Sequence, residues 1–356
     1  MSQSISSPPR ARVSLKDVAG AAGVGVTTVS DILNRNIVGK YPPETRARVF
    51  NAMKETGYTP SRSAQKLRGT RSREIGVVLT REFDNPFFAR LAHQFQRQLR
   101  QLGYRMQLQV TGRDLWTLSR FPMELLGDDV DAVILGPVYV SDRDHLDPLS
   151  AFSNASMPVA LFGGPCDSGF DEYCLPHFDA GYLAGKLLFD AGHRRVAFPG
   201  GAPTDATGDQ TSKDDGVCEA ARECGATVEF IPHPDTDDYD DFYHTAAAFG
   251  RNWKRAAPDD RATGVVCRND QMAIAAIAAW HDLGIDVPAD LSVVGMDNLP
   301  ESRIVRPGLS TIDLRMNDHV TQIVSRVVGR LEGRQVGAPV IPKPQQVVRD
   351  SVRPVQ

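Results

Sequence analysis

Between residues 14 and 34 the apolar positions fall on two short helical faces separated by a glycine. Leu15, Val18, Ala19 and Ala22 recur at i, i+3, i+4 and i+7, the spacing of one buried helix stripe. Ser14 stands where a helix cap belongs, and Asp17 in the first turn meets the positive end of the helix dipole. Gly23 ends that helix. Val24, Val29, Ile32 and Leu33 then point inward from a second helix, leaving Val26, Thr27, Ser30, Asp31 and Asn34 on its outer side. This is the layout of a helix-turn-helix, in which the second helix offers its N-terminal half to base edges in the major groove.

A third helix is expected from Pro43–Glu44, with Val49, Phe50 and Met53 inward and a stop at Gly57. Residues 61–74 are polar and basic, and Ala64 and Leu67 are their only substantial apolar positions. Such a linker forms a short helix only with a partner or with DNA. From Ile75 the pattern changes. Strand-like runs at 75–79, 106–110, 132–135, 159–162, 195–198, 228–231, 264–267 and 291–294 alternate with helical stretches at 86–102, 180–191, 212–224, 241–253 and 270–283. Alternation of this kind implies parallel sheets covered on both faces, and the number of strands implies two lobes with a cleft between them.

Charge sharpens the picture. Up to Arg73 there are thirteen Lys and Arg against four acids, a segment of +9; with the whole chain at −4, the remainder carries −13. A basic head on an acidic body concentrates the electrostatic footprint of a nucleic-acid binder in one place. The five cysteines, Cys166, Cys174, Cys218, Cys224 and Cys267, are odd in number and scattered, which points to buried free thiols rather than a disulfide framework or zinc site. No apolar run approaches a membrane span and the N-terminus shows no apolar signal core, so a cytoplasmic protein without membrane association is expected.

The stretches LKDVAGAAGV-x-VTTVS-x-ILN, ETRARVFNAMKETGYTPSRSAQKLRG, IGVVL followed by DNPFFARL, GHRRVAFPGG, RNDQMAIAAIAAWHDLGIDVPADLSVVGMDN and RPGLSTI occur in that order. In them the chain resembles the LacI/GalR family of bacterial transcriptional regulators over essentially its whole length. The resemblance implies an all-α helix-turn-helix head plus hinge, followed by an α/β core of two doubly wound parallel-sheet lobes like periplasmic sugar-binding proteins. It divides the chain into an arm (1–12), a DNA-binding domain (13–60), a hinge (61–73), an effector and dimerisation core (74–351) and a tail (352–356), with the chain crossing between lobes near 174–177 and 300–340. It further implies a homodimer on palindromic operator DNA, without a cofactor. Ser14, Val26, Thr27, Ser30, Asp31 and Asn34 then lie at the DNA surface. Leu67 matches the hinge leucine that opens the central base step, and Ala64 the small residue that lets paired hinge helices approach.

Carried over in the same way, Asp84, Phe87, Phe88, Lys213, Asn269 and Asp297 line an effector cleft. An aromatic face with convergent amide and carboxylate groups suits a small polyhydroxylated, carbohydrate-like ligand. Several positions depart from the family. Asp31 replaces a usual arginine; a carboxylate repels phosphate and cannot donate to guanine but can accept from a cytosine amino group, which predicts an atypical operator or weaker binding. The loop at 35–41 is longer than in the lactose repressor, and Pro42 takes the place of a serine cap. Lys213 replaces a frequent arginine and lacks its bidentate fork. His177 replaces a common aspartate. The acidic run 235–241 lacks the glycine of a calcium loop.

Other classes fit less well. A periplasmic solute-binding protein accounts for the core but not for the basic head. An enzyme finds no support: there is no GxGxxG, no phosphate-binding GK[ST] and no G-x-S-x-G, and the eight histidines are dispersed. After Arg353 no leucine heptad follows, so a dimer is expected rather than a tetramer.

Overall fold

The computed structural model describes residues 14–33, 40–56, 72–111, 130–138, 157–163, 169–199, 212–233 and 238–355. The chain divides into two compact units between Ser72 and Arg73. Asn34, Ala64 and Leu67 lie outside the described residues, as do Cys166, Gly57 and hinge residues 61–71.

The first unit holds α1 (Leu15–Ala22), α2 (Val26–Leu33) and α3 (Pro43–Thr56). Val18, Ala19, Ala22, Val29, Ile32, Val49 and Ala52 form its small core, with Leu15, Val24, Tyr41 and Met53 packed on the rim. Gly23 terminates α1 at φ +64°, a conformation that favours a residue without Cβ. The expectation for α3 needs one correction. Phe50 is half exposed, because the inner stripe runs through Val49, Ala52 and Met53 and turns position 50 outward.

The second unit contains two sheets. The first is β2–β1–β3–β4–β5, built from β1 (Glu74–Leu79), β2 (Arg105–Val110), β3 (Ala132–Val138), β4 (Val159–Gly163) and β5 (Asp171–Cys174), with every pair parallel. The second runs β11–β10–β9–β8–β6–β7, from β6 (Arg195–Pro199), β7 (Thr227–Ile231), β8 (Gly264–Val266), β9 (Ser292–Met296), β10 (Ser310–Asp313) and β11 (Gln345–Val347). Only β11 is antiparallel among these pairs. Without β11, the second sheet has the strand order of the first. Each order reverses beside its own first strand, β1 against β3 and β6 against β8, the crevice where doubly wound sheets hold ligands.

The helices are α4 (Pro86–Gln101), α5 (His177–Asp190), α6 (Lys213–Cys224), α7 (Tyr239–Arg255), α8 (Asp270–Asp282) and α9 (Met316–Leu331). After β5 the chain leaves the first sheet, and α5 packs on β8 to β11; α9 returns to lie against α4 and β4. One apolar core runs through both lobes by way of α5, while a second, around Trp280, fills the space between β6, β8, β9 and helices α7 and α8. The sequence pattern missed β5, β10, β11 and α9. It also started α5 three residues late, because Pro176 and His177 look like a turn and prove to be cap and first residue. The two lobes are tied directly. Gln271 Nε2 donates to the Asp84 carbonyl at 3.2 Å, and Arg90 Nη1 donates to the Asn298 carbonyl at 3.4 Å.

His193 shows how the C-terminal segment is held. It is buried, with Nδ1 2.8 Å from Thr263 Oγ1 and Nε2 3.1 Å from the Arg353 carbonyl, a structural role as its place before a strand suggested.

Candidate functional site

In the first unit the outer face of α2 is assembled by its burial pattern. Val29 and Ile32 go into the core, so Val26 and Thr27 stand exposed at the helix start, with Ser30 and Asp31 half-buried beside them. An exposed valine and threonine at a helix N-terminus can meet thymine methyl groups and base-edge acceptors. Ser14 caps α1: its backbone N–H and its Oγ both donate to the Asp17 carboxylate, at 2.8 and 2.7 Å. Asp31 is not a bare charge. Its Oδ2 accepts from Lys40 Nζ at 2.8 Å and from Tyr41 Oη at 2.8 Å, and these bonds hold its pKa below the usual carboxylate range.

In the second unit the polar groups gather at the carboxyl ends of both sheets. After β1 comes Asp84, exposed, and then Asn85, whose side chain accepts from Phe87 N at 3.0 Å and opens α4. Phe87 and Phe88 meet edge to face with centroids 5.2 Å apart. They part company in burial: Phe88 belongs to the apolar core, whereas Phe87 stays partly open. The ring that stays accessible is therefore Phe87.

The second lobe supplies most of the chemistry. Ser212 caps α6 and puts Lys213 at its first position, from which Nζ donates to the Arg268 carbonyl at 2.7 Å. Gly181 and Gly216 allow this: a Cβ on either would run into the backbone of the facing helix, at Lys213 and at Phe178 respectively. The close approach of α5 and α6 brings His177 near Lys213. Burial first, then Lys213, Arg268 and His319, press the His177 pKa down to about 3. Burial likewise lowers His319 to about 4. Both imidazoles are thus neutral at physiological pH.

Asn269 caps α8, its Oδ1 accepting from Met272 N at 2.7 Å, which leaves the amide NH2 available to a ligand. Asp297 follows β9 with φ +105°, and Asn298 follows at +49°. Such backbone is costly outside glycine and needs bracing. Asp270 braces it from beneath. The carboxylate is fully buried and accepts from Leu299 N at 2.7 Å, Ser302 Oγ at 2.6 Å and Thr311 Oγ1 at 2.5 Å. Burial and then the nearby Asp297 push its pKa up to about 7. Arg349 Nη2 adds a bond to Asn298 Oδ1 at 2.7 Å, and Asn298 Nδ2 donates to Asp313 at 3.1 Å.

All six effector candidates are described. Asp84, Phe87, Lys213, Asn269 and Asp297 sit at strand ends or helix starts bordering the lobe junction, while Phe88 is core. Sequence reasoning missed Arg90, Arg268, Asp270, Gln271 and His319. Arg268, Asp270 and Gln271 flank Asn269 directly, and the rule that ligands gather where a strand gives way to a helix would have found them. Nothing local marks His319, since only the return of α9 to the first lobe brings it to His177. Among the described residues no group of three or more His, Cys, Asp and Glu could hold a metal ion, and no helix is long and apolar enough to cross a membrane. Cys174, Cys218, Cys224 and Cys267 are free thiols, but only Cys267 is fully buried, so the expectation of buried thiols holds for one of the four.

A helix-turn-helix head joined to a two-lobed core with convergent polar groups defines a DNA-binding regulator with an effector-binding core. Comparison with known proteins places it further. Residues 14–61 match the family described as bacterial regulatory proteins, lacI family, and residues 186–352 match a periplasmic binding protein-like domain. The chain is 30% identical over 347 residues to the HTH-type transcriptional repressor PurR of Mannheimia succiniciproducens, covering 96% of this chain and 99% of that one. The repressor of the same name from Pasteurella multocida is 30% identical over 341 residues, at 95% and 98% coverage. Among solved structures, a Lac repressor dimer bound to operator and the anti-inducer ONPF aligns with TM-score 0.77 at 24% identity, over 96% of this chain and all of that one. A complex of the transcriptional regulator CelR with cellobiose aligns with TM-score 0.63 at 26% identity and the same coverage. The chain belongs to the LacI family and is a helix-turn-helix transcription repressor by its kinship; the PurR and Lac proteins it resembles are repressors rather than enzymes.

Proposed function

We propose that this protein represses transcription as a homodimer on a palindromic operator, and that a small polyhydroxylated effector in the lobe cleft sets its operator affinity. Residues 13–60 contact DNA, 61–73 link, and 74–351 bind effector and partner, in the cytoplasm. Val26, Thr27, Ser30 and Asn34 meet bases or anchor α2, and paired Leu67 side chains wedge the central step with Ala64 at the crossing. The observation that carries the effector reading is that Phe87, Lys213, Asn269 and Asp297 all stand beyond the carboxyl ends of strands in two sheets with the same strand order, on the side where Gln271 and Arg90 join the lobes. A ring for C–H faces beside amide, ammonium and carboxylate groups for hydroxyls suits a sugar or sugar derivative. The cellobiose complex of a family relative supports that ligand class, and the operator-bound dimer of a structural neighbour supports the assembly.

Coupling requires that effector and operator change each other's affinity reciprocally. A thermal-shift screen of mono- and disaccharides, sugar phosphates and nucleobases identifies the effector class. The hit shifts operator affinity by roughly 5- to 150-fold, and its own binding is lost in Asp297→Ala and weakened in Phe87→Ala. A hit that regulates operator binding yet binds both variants normally contradicts the cleft assignment. Leu67→Ala weakens specific operator binding while leaving that hit bound; equal operator affinity contradicts the wedge.

A further inference from the structure

The carboxylate of Asp31 is doubly misplaced if it acts alone. It lies in the last turn of α2, where the helix dipole is negative. It also shares a helix face with Thr27, at i and i+4, on the side that reading gives to polyanionic DNA. Both features call for a cation, and the structure supplies one. Lys40 Nζ is 2.8 Å from Asp31 Oδ2 and 5.4 Å from the centroid of the Tyr41 ring. Tyr41 packs on the rim of the head core and donates its hydroxyl to the same Oδ2 at 2.8 Å. The three side chains form one anchored unit: the tyrosine ring is fixed by packing, and the carboxylate is fixed by two donors. Lys40 is thereby drawn against α2 from a position nine residues along the chain. Its side chain stays half exposed, so N–H donors remain available to another anion.

We propose that Asp31 is a positioning residue for DNA binding: it holds Lys40 against the reading helix so that an ammonium, rather than a carboxylate, meets a phosphate. This departs from the expectation from sequence, in which the carboxylate gives an atypical operator or weakens binding by repulsion. Asp31 neither reads a base nor repels the backbone; it fixes the lysine that neutralises one phosphate, and Tyr41 fixes Asp31. The inference rests on the assignment of α2 as the DNA-facing helix.

The test uses the full-length protein. A duplex pool with a randomised centre is selected with wild type, and affinity for the enriched sequence is titrated against salt for Asp31→Asn, Lys40→Met and the double variant. Lys40→Met weakens binding about five- to tenfold and lowers the slope of log K against log salt by about 1. Asp31→Asn weakens binding in the wild-type background, because Lys40 is released, yet strengthens it in the Lys40→Met background, where the carboxylate is left unpaired. That reversal of sign is the expected result. An Asp31→Asn effect of the same sign in both backgrounds, or no effect in either, overturns the proposal. Base preference changing at one position identically in both backgrounds also overturns it, in favour of direct reading of a base. Retention of the wild-type motif by Lys40→Met shows that the head is folded. If wild type enriches no sequence at all, the DNA-facing assignment of α2 fails, and the proposal fails with it.

Discussion

The two lobes of the core share a strand order but not a task. At the end of its first strand, the first lobe offers an aromatic ring, an exposed carboxylate and a helix capped by Asn85. At the corresponding strand ends the second lobe offers Lys213, Arg268, Asn269 and Asp297, set on a fully buried Asp270. The two lobes thus share a topology, while the side chains at their strand ends differ in kind. The first lobe supplies surface on which a ligand can rest. The second supplies directional polar groups, and it needs internal bracing because its loop after β9 carries two consecutive left-handed residues.

The sharpest way to break this contrast is to remove the brace. Asp270→Leu leaves the Leu299 N–H and the hydroxyls of Ser302 and Thr311 without their acceptor. At about 1–2 kcal/mol for each orphaned buried donor, the loss is roughly 3–6 kcal/mol, read as a large drop in the denaturation midpoint. Asp84, after β1, is exposed, so Asp84→Leu changes the midpoint little.

The adjacent phenylalanines come next. Phe88→Ala opens a cavity in the first-lobe core and costs about 3–5 kcal/mol. Phe87→Ala, at a partly open position, costs about 1–2 kcal/mol and acts mainly on effector affinity. Equal destabilisation by both changes contradicts the division between a core ring and a ligand ring. Gly181→Ala acts on both properties. The added methyl runs into the Lys213 backbone and forces α5 and α6 apart, which costs about 1–3 kcal/mol of stability and lowers effector affinity, as titration alongside unfolding measures.

The last effect is one of pH. His177 and His319 are held neutral, with folded values near 3 and 4 against an ordinary 6.5, so the unfolded chain binds more protons below about pH 6.5. Their contribution is intact above that pH and is lost as pH falls from 6.5 towards 4. Asp270, raised to about 7 from an ordinary 3.8, acts in the opposite sense: its neutral form is favoured in the fold, so its contribution shrinks as pH rises from 3.8 to 7. Denaturation midpoints across pH 4–7 then show a shallower acid-side decline in His319→Gln than in wild type. An unchanged decline contradicts a buried neutral imidazole at that position.

What the sequence made legible follows from the range of each signal. The head was read from local periodicity, because three short helices bury one stripe each; Phe50 was misplaced because a fourteen-residue helix can offer neighbouring apolar positions to either side. Long apolar strands such as β1 and β4 were evident, whereas β11 has no apolar run to announce it. The helix α9 is amphipathic and long, yet it follows a stretch that reads as loop, and only its packing on α4 and β4 reveals its place. Near the lobe junction, Arg90, Arg268, Asp270 and Gln271 lie within the same motifs as the expected site residues, yet helical and strand spacing alone does not single them out, and His319 comes near His177 only through the return of α9. Asp31 is recognisable as a departure, but its contact with Lys40 is not, since a cation nine residues away in the chain is invisible to helical spacing.

The central claim is that this chain is a repressor that recognises specific DNA, and genomic-fragment selection with purified protein at two salt concentrations tests it most directly. The account predicts a palindromic motif whose binding weakens steeply as salt rises. Fragments enriched without a shared motif, or no enrichment at either salt, would contradict it.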